Sequence, residues 1–253
     1  MYRFFLLLGL FTLSVHAGEP ITVKNSDRQV AVVELYTSQG CHSCPPADRW
    51  LSQLESGLGD QFEVLPLGFH VDYWNYLGWK DQFSRKEFTS RQRQLGANNQ
   101  QRTIYTPEFF VNGLETRGAS KILSEIENIN QRKAPTQLAL TVSLDKGSLV
   151  CNLATTENQQ ADELMHHRYI VYENDLVADI LRGENAGKTL EYQHVVRYMS
   201  DAIGLQANNR HEILLDPDWN LENVGVAVLV TTPGNTQYLQ AIHTPISDLV
   251  IQN

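Results

Sequence analysis

The chain has 253 residues and a formal charge of −9. That acidic balance argues against nucleic acid or an anionic membrane surface as its partner. Three cysteines are too few for a disulfide scaffold at this length, so what they do is local. The length also exceeds the common domain size of about 100–150 residues, which makes two domains the default expectation.

The first twenty residues, "MYRFFLLLGLFTLSVHAGEP", place one cation, Arg3, before an apolar run from Phe4 to Leu13 and a small-residue site at Val15-His16-Ala17. This is the pattern of a secretory signal peptide over residues 1–17, cleaved after Ala17. The run is about half the roughly 20 residues a spanning helix needs. A periplasmic or secreted protein that is not embedded in a membrane is expected. "QVAVVELYTS" (29–38) then reads as a buried strand, being β-branched with no helical period. Ala47, Trp50, Leu51, Leu54 and Leu58 mark one face of a helix that ends at Gly57 and Gly59. Residues 62–71 read as the next strand. The order β, α, β implies a parallel pair with a right-handed crossover.

Residues 84–99 read as a polar helix, and Phe109-Phe110-Val111 as a strand turning at Asn112-Gly113. Residues 120–132 read as an amphipathic helix with Ile122, Leu123, Ile126 and Ile129 inward. Pro135 marks a boundary, so an α/β domain is placed at 24–134. Beyond Thr136 the pattern becomes alternating strands: two about an Asp145-Lys146-Gly147 turn, one at "RYIVYENDLV", and two about Pro233-Gly234. A small all-β, sandwich-like domain is therefore expected over 135–253. Cys151 falls in the alternating "GSLVCNLAT" as a small buried hydrophobe.

The chemistry concentrates in "YTSQGCHSCPPADRW". Cys41 and Cys44 open the predicted helix, facing its positive end and free N–H groups. Cys41 is thus an exposed nucleophile of lowered pKa, and Cys44 the resolving thiol. A charged His42 between them favours the thiolate and shifts the pair toward an oxidant. The same spacing serves zinc and copper, and His70 could complete such a set, though nothing in the spacing demands a metal and no cofactor is assigned.

Context narrows these options. "VVELYTSQGCHSC" together with "YTPEFFVNG" resembles the thioredoxin-like pattern over roughly residues 30–131. The resemblance implies a cis Thr106-Pro107 beside the cysteines that positions an extended substrate, and a buried strand acid, here Glu34, that takes the Cys44 proton. The spacing is one residue longer than usual, so a solvated strand-end Glu34 is the competing reading. With "HVDYWNYLGWKD", "FSRKEFTSRQ" and "LRGENAGKTLEYQHVVR", the chain most closely resembles the secreted proteins of domain-of-unknown-function family 1223.

Tyr73 and Trp74 belong either to an aromatic rim that receives a partner polypeptide or to a packed loop. His166-His167 reads as a solvated loop, and "RGENAGK" as a hairpin packing on the first domain. The expected activity is thiol–disulfide exchange on a protein partner. A metal-binding or trafficking module and a redox-inert binding protein stapled by its disulfide are the alternatives.

Overall fold

The structure, a computed structural model, describes residues 18–155, 165–206, 208–232 and 237–250. Residues 1–17, expected to form a signal peptide, and the expected Pro233-Gly234 turn lie outside the described residues. The first half contains β1 (Ile21–Lys24), β2 (Ala31–Thr37), α1 (Pro45–Ser52), α2 (Leu54–Leu58), β3 (Val64–His70), α3 (Lys86–Asn98), β4 (Glu108–Val111), β5 (Leu114–Glu115) and α4 (Ala119–Asn130). The second half is β6 (Leu138–Asp145), β7 (Ser148–Thr155), β8 (His166–Glu173), β9 (Leu176–Asp179), β10 (Thr189–Tyr192), β11 (Val195–Met199), β12 (Ile203–Gly204), β13 (Asn208–Leu214), β14 (Val224–Thr231) and β15 (Tyr238–Pro245). The molecule is mixed α/β and dominated by sheet.

β2 and β3 pair in parallel, and β4 runs antiparallel to β2. Alternation along β2 divides its side chains between two layers. Ala31, Val33 and Leu35 pack with Leu51 and Leu54 and with Ile122 and Ile126 of α4. Val32 and Tyr36 pack on the opposite face with Phe88 and Leu95 of α3. The helix expected over 47–58 bends at Gln53 into α1 and α2. The hairpins turn where expected: Asn112-Gly113 and Lys146-Gly147 all have positive φ, as tight two-residue turns require.

The sheet does not stop at residue 134. Its order is β15-β14-β8-β11-β3-β2-β4-β5, with β12 on β8, and β11 joins β3 in parallel at Val195 opposite Gly68. β1 in turn belongs to the second sheet, β1-β6-β7-β13. β8 and β14 are buried on both faces. Tyr169, Val171, Val226 and Val228 face the four-stranded sheet, while Ile170, Tyr172, Ala227 and Leu229 share a core with β2, β3 and α3. Such two-sided burial produces the continuous apolar run "VGVAVLVT" of β14. Gly225 lies opposite Tyr172, whose ring fills the space a Cβ would take. Gly225→Ala is expected to cost about 1–3 kcal/mol through overpacking, measured as a lowered denaturant midpoint at unchanged slope.

His166-His167 is not a solvated loop. Both residues lie in β8, and His167 is buried. Burial pushes its imidazole down to about 4. Cys151 is a free, buried thiol on β7, as its alternating segment implied.

Candidate functional site

The turn leading into α1 is tied by short-range backbone bonds. Cys41 N–H donates to Ser38 O at 3.1 Å, and the N–H groups of Ala47 and Asp48 donate to Cys44 O at 2.8 and 3.0 Å. Cys44 is the N-cap residue, followed by Pro45 and Pro46, which start a helix at no cost because the first N–H groups are unpaired anyway. Cys41 and Cys44 form a disulfide with a Cα–Cα distance of 5.4 Å. The sequence implies an exposed Cys41, but only 1% of that residue is accessible, and Cys44 is fully buried. His42 and Ser43 between them are exposed.

Two segments enclose the pair. On one flank Gly40 packs against Trp74, where an added Cβ would lie 3.1 Å from the Trp74 side chain. The Trp74 indole N–H donates to Thr106 Oγ1 at 2.7 Å, and the Thr106–Pro107 bond is cis. Trp74 thus bridges the cysteine turn and the proline loop. Tyr73 is partly buried in the same apolar cluster. This segment is therefore a packed loop at the site, and Tyr76, 78% exposed, is its one strongly projecting aromatic.

On the other flank lies the loop between β9 and β10. Asn185, buried, donates from Nδ2 to Gln39 O at 2.9 Å and Cys41 O at 2.8 Å. Lys188 Nζ holds the Asn185 Oδ1 at 2.8 Å, and Glu184 Oε2 accepts the His42 N–H at 3.1 Å. Gly183, at φ 79°, packs on Trp79, whose N–H donates to Gln39 Oε1 at 2.8 Å. "RGENAGK" is thus a cap on the cysteine turn, contributed by the C-terminal half.

Glu34 is neither solvated nor aimed at Cys44. As an even member of β2 it points into the α3 layer, away from α1. There it forms a bidentate pair with Arg91 at 2.9 Å for both contacts, and accepts the hydroxyls of Tyr36 (2.7 Å) and Tyr238. Arg91 also bonds the Tyr238 hydroxyl. Both ion-pair members are almost wholly buried.

The acid on the α1 side is Asp48. It lies one helical turn after Cys44 on the same buried face. Burial pushes its carboxyl up to about 7 against the lowering pull of His70. His70 Nδ1 is bonded to Asp81 Oδ2 at 2.7 Å, and Asp81 Oδ2 also accepts the Gln39 N–H at 2.8 Å. Burial pulls the His70 pKa down, but the Asp81 carboxylate, helped by Asp48, carries it above its ordinary value. His70 is thus committed to Asp81, and among the described residues no group of three or more His, Cys, Asp or Glu could hold a metal ion.

Sequence reasoning missed Asp48, Asp81 and Arg91; it placed the hairpin that carries Asn185 against the first half, as found, but gave the side chain no role. Asp48 left a trace: a carboxylate on the apolar stripe that runs from Cys44 to Leu51.

Fold and site together define a sheet-rich α/β protein built around an enclosed C-x-x-C disulfide at a helix start. The family model described as "Protein of unknown function (DUF1223)" matches residues 32–231, so the chain belongs to that family. No curated protein matches the chain. Among solved structures it is similar to protein AGR_C_4864 from Agrobacterium tumefaciens, at 23% identity and a TM-score of 0.65, covering 90% of this chain and 100% of that one. It is also similar to HBP35 of Porphyromonas gingivalis, at 18% identity and a TM-score of 0.64, covering 87% and 76%. Among the described residues no helix is long and apolar enough to cross a membrane.

Proposed function

We propose that the protein is an exported, thioredoxin-like thiol–disulfide oxidoreductase that exchanges disulfides with protein thiols through Cys41 and Cys44. The observation that carries this reading is the joining of three elements at one place: the C-x-x-C disulfide at the start of α1, the cis Thr106–Pro107 loop, and Trp74 in contact with both. Cys41 forms the mixed disulfide with substrate, Cys44 resolves it, and Thr106 and Pro107 present the edge along which an extended substrate strand lies. His42, exposed between the sulfurs, favours a Cys41 thiolate when charged.

In Cys44→Ala the mixed disulfide has no resolving thiol. A covalent adduct of Cys41 with a protein partner is expected on non-reducing gels, released by reductant and absent from Cys41→Ala/Cys44→Ala. Failure to trap any partner thiol would sink the exchange reading.

The burial of both sulfurs supports a second reading, a binding protein whose disulfide staples the helix start. In that case Cys41→Ala leaves partner binding intact.

A further inference from the structure

We propose that Asp48 accepts the Cys44 proton when the mixed disulfide is resolved, and that the cavity between α1 and β10 is the port through which that proton reaches solvent. The inference rests on the thiol–disulfide reading given above.

Its geometry is independent of that reading. The Asp48 carboxyl is buried one turn behind Cys44, and its Oδ2 completes no hydrogen bond within the chain. The Thr37 hydroxyl lies close enough to act on it, but is likewise without a complete bond. His70 Nε2 and the Tyr192 hydroxyl, buried in the same group, also have no partner within the chain. The rings of His70 and Tyr192 are 5.0 Å apart. Four buried polar atoms that find no partner within the chain, gathered in one place, mark a candidate functional site. A cavity of about 110 Å³ adjoins them, lined by Pro45, Asp48 and Arg49 on one side and by Thr189 to Tyr192 on the other. Glu34 cannot take the role, because it is held by Arg91 in the opposite layer.

For a reduced pair meeting a protein disulfide, the Cys41 thiolate attacks one substrate sulfur, the substrate S–S bond breaks, and the departing thiolate takes a proton from water. Cys44 then gives its proton to the Asp48 carboxylate. The Cys44 thiolate attacks Cys41 Sγ, the mixed disulfide breaks, and the second substrate thiolate leaves. Two electrons have passed from the pair to the substrate, and Asp48 releases its proton through the cavity. Run backwards, protonated Asp48 supplies the proton as Cys44 departs.

An acceptor near 7 lies between a cysteine thiol and water at neutral pH, which is where transfer is efficient. The groups that set this value are His70 on β3, Asp81 before α3, Thr37 on β2 and Arg49 on α1, while Tyr192 and Glu191 face from β10. Arg197 acts on His70 from β11.

The test uses the reduced full chain and an aromatic disulfide that liberates a coloured thiolate. One equivalent is released when Cys41 attacks and a second when Cys44 resolves. In the wild type the second step should rise with pH through an inflection above the ordinary carboxylate range, where burial holds Asp48. Asp48→Asn should leave the first step unchanged, slow the second by about 100-fold, and abolish the inflection. The variant should fold, because burial opposes ionisation of the native carboxyl. In the wild type that opposition lowers stability as pH rises from the unfolded value of 3.8 toward 7. Asp48→Asn should therefore unfold at no lower denaturant concentration above neutrality.

A second step in Asp48→Asn with the wild-type rate and pH profile overturns the assignment and leaves the redox reading standing. A wild-type second step with no inflection does the same, whatever the variant does. Release of neither equivalent by the wild type brings down both.

Discussion

Replacing Arg91 by methionine is expected to lower the unfolding free energy by about 3–5 kcal/mol. Methionine fills much of the arginine's space but leaves the Glu34 carboxylate buried with only the Tyr36 and Tyr238 hydroxyls to answer it. A lone buried charge is penalised far more than a buried pair is rewarded. The pair also joins β2, α3 and β15, so its loss loosens elements from both halves of the chain at once. Chemical denaturation followed by circular dichroism measures the effect. The double variant Arg91→Met/Glu34→Gln should recover a large part of the loss, since the uncompensated charge is gone. Equal destabilisation in the single and double variants would show that packing, and not charge, holds this layer together.

Asn185→Ala is expected to speed reduction of the Cys41–Cys44 disulfide by a small-molecule dithiol by about 10–100-fold. Asn185 supplies two hydrogen bonds that hold the cap on the cysteine turn, each worth roughly 0.5–1.5 kcal/mol net. Their loss raises the population of the open state by that energy, and reduction proceeds from the open state because the sulfurs are enclosed in the closed one. The rate is read by quenching with a thiol alkylator at intervals and weighing the products by mass spectrometry. A rate equal to that of the wild type would mean that the cap does not shield Cys41, and that the Trp74 flank governs access.

Much of the architecture can be read directly from residue patterns. The β-branched run of β2, the apolar run of β3, the apolar stripe of α1 and the Asn112-Gly113 and Lys146-Gly147 turns all depend on local geometry, and each lies where the pattern puts it. What escapes are features made by distant partners. α3 reads as a polar surface helix because periodicity counts apolar residues, yet Arg91 and Gln92 face inward, where Glu34 and Glu108 await them. His167 reads as solvated because two adjacent histidines look polar, but β14 and β12 flank it in the sheet and it lies on the β8 face of Tyr169 and Val171, toward the second sheet. The same limit hid Asp48 and Asn185. Their roles depend on which strand and which loop arrive beside them, and local pattern offers only a carboxylate on an apolar stripe for the one and a hairpin packing on the first half for the other. The cysteine pair was visible, and so was the packing of "RGENAGK" on the first half; that this hairpin lands on the cysteine turn was not, because it comes from more than a hundred residues downstream.

The insertion of β11 beside β3 bears on the order in which the molecule can assemble. A chain made from its N-terminus completes β2, β3 and β4 early, but the outer edge of β3 keeps an unpaired row of backbone donors and acceptors until Val195–Met199 has emerged. Such an edge recruits any available strand, including that of a second nascent copy. During the same interval the thiol of Cys151 is already present and not yet buried between its sheets. Proximity along the chain, three positions against more than a hundred, favours pairing of Cys41 with Cys44 over either alternative while Cys151 is still accessible.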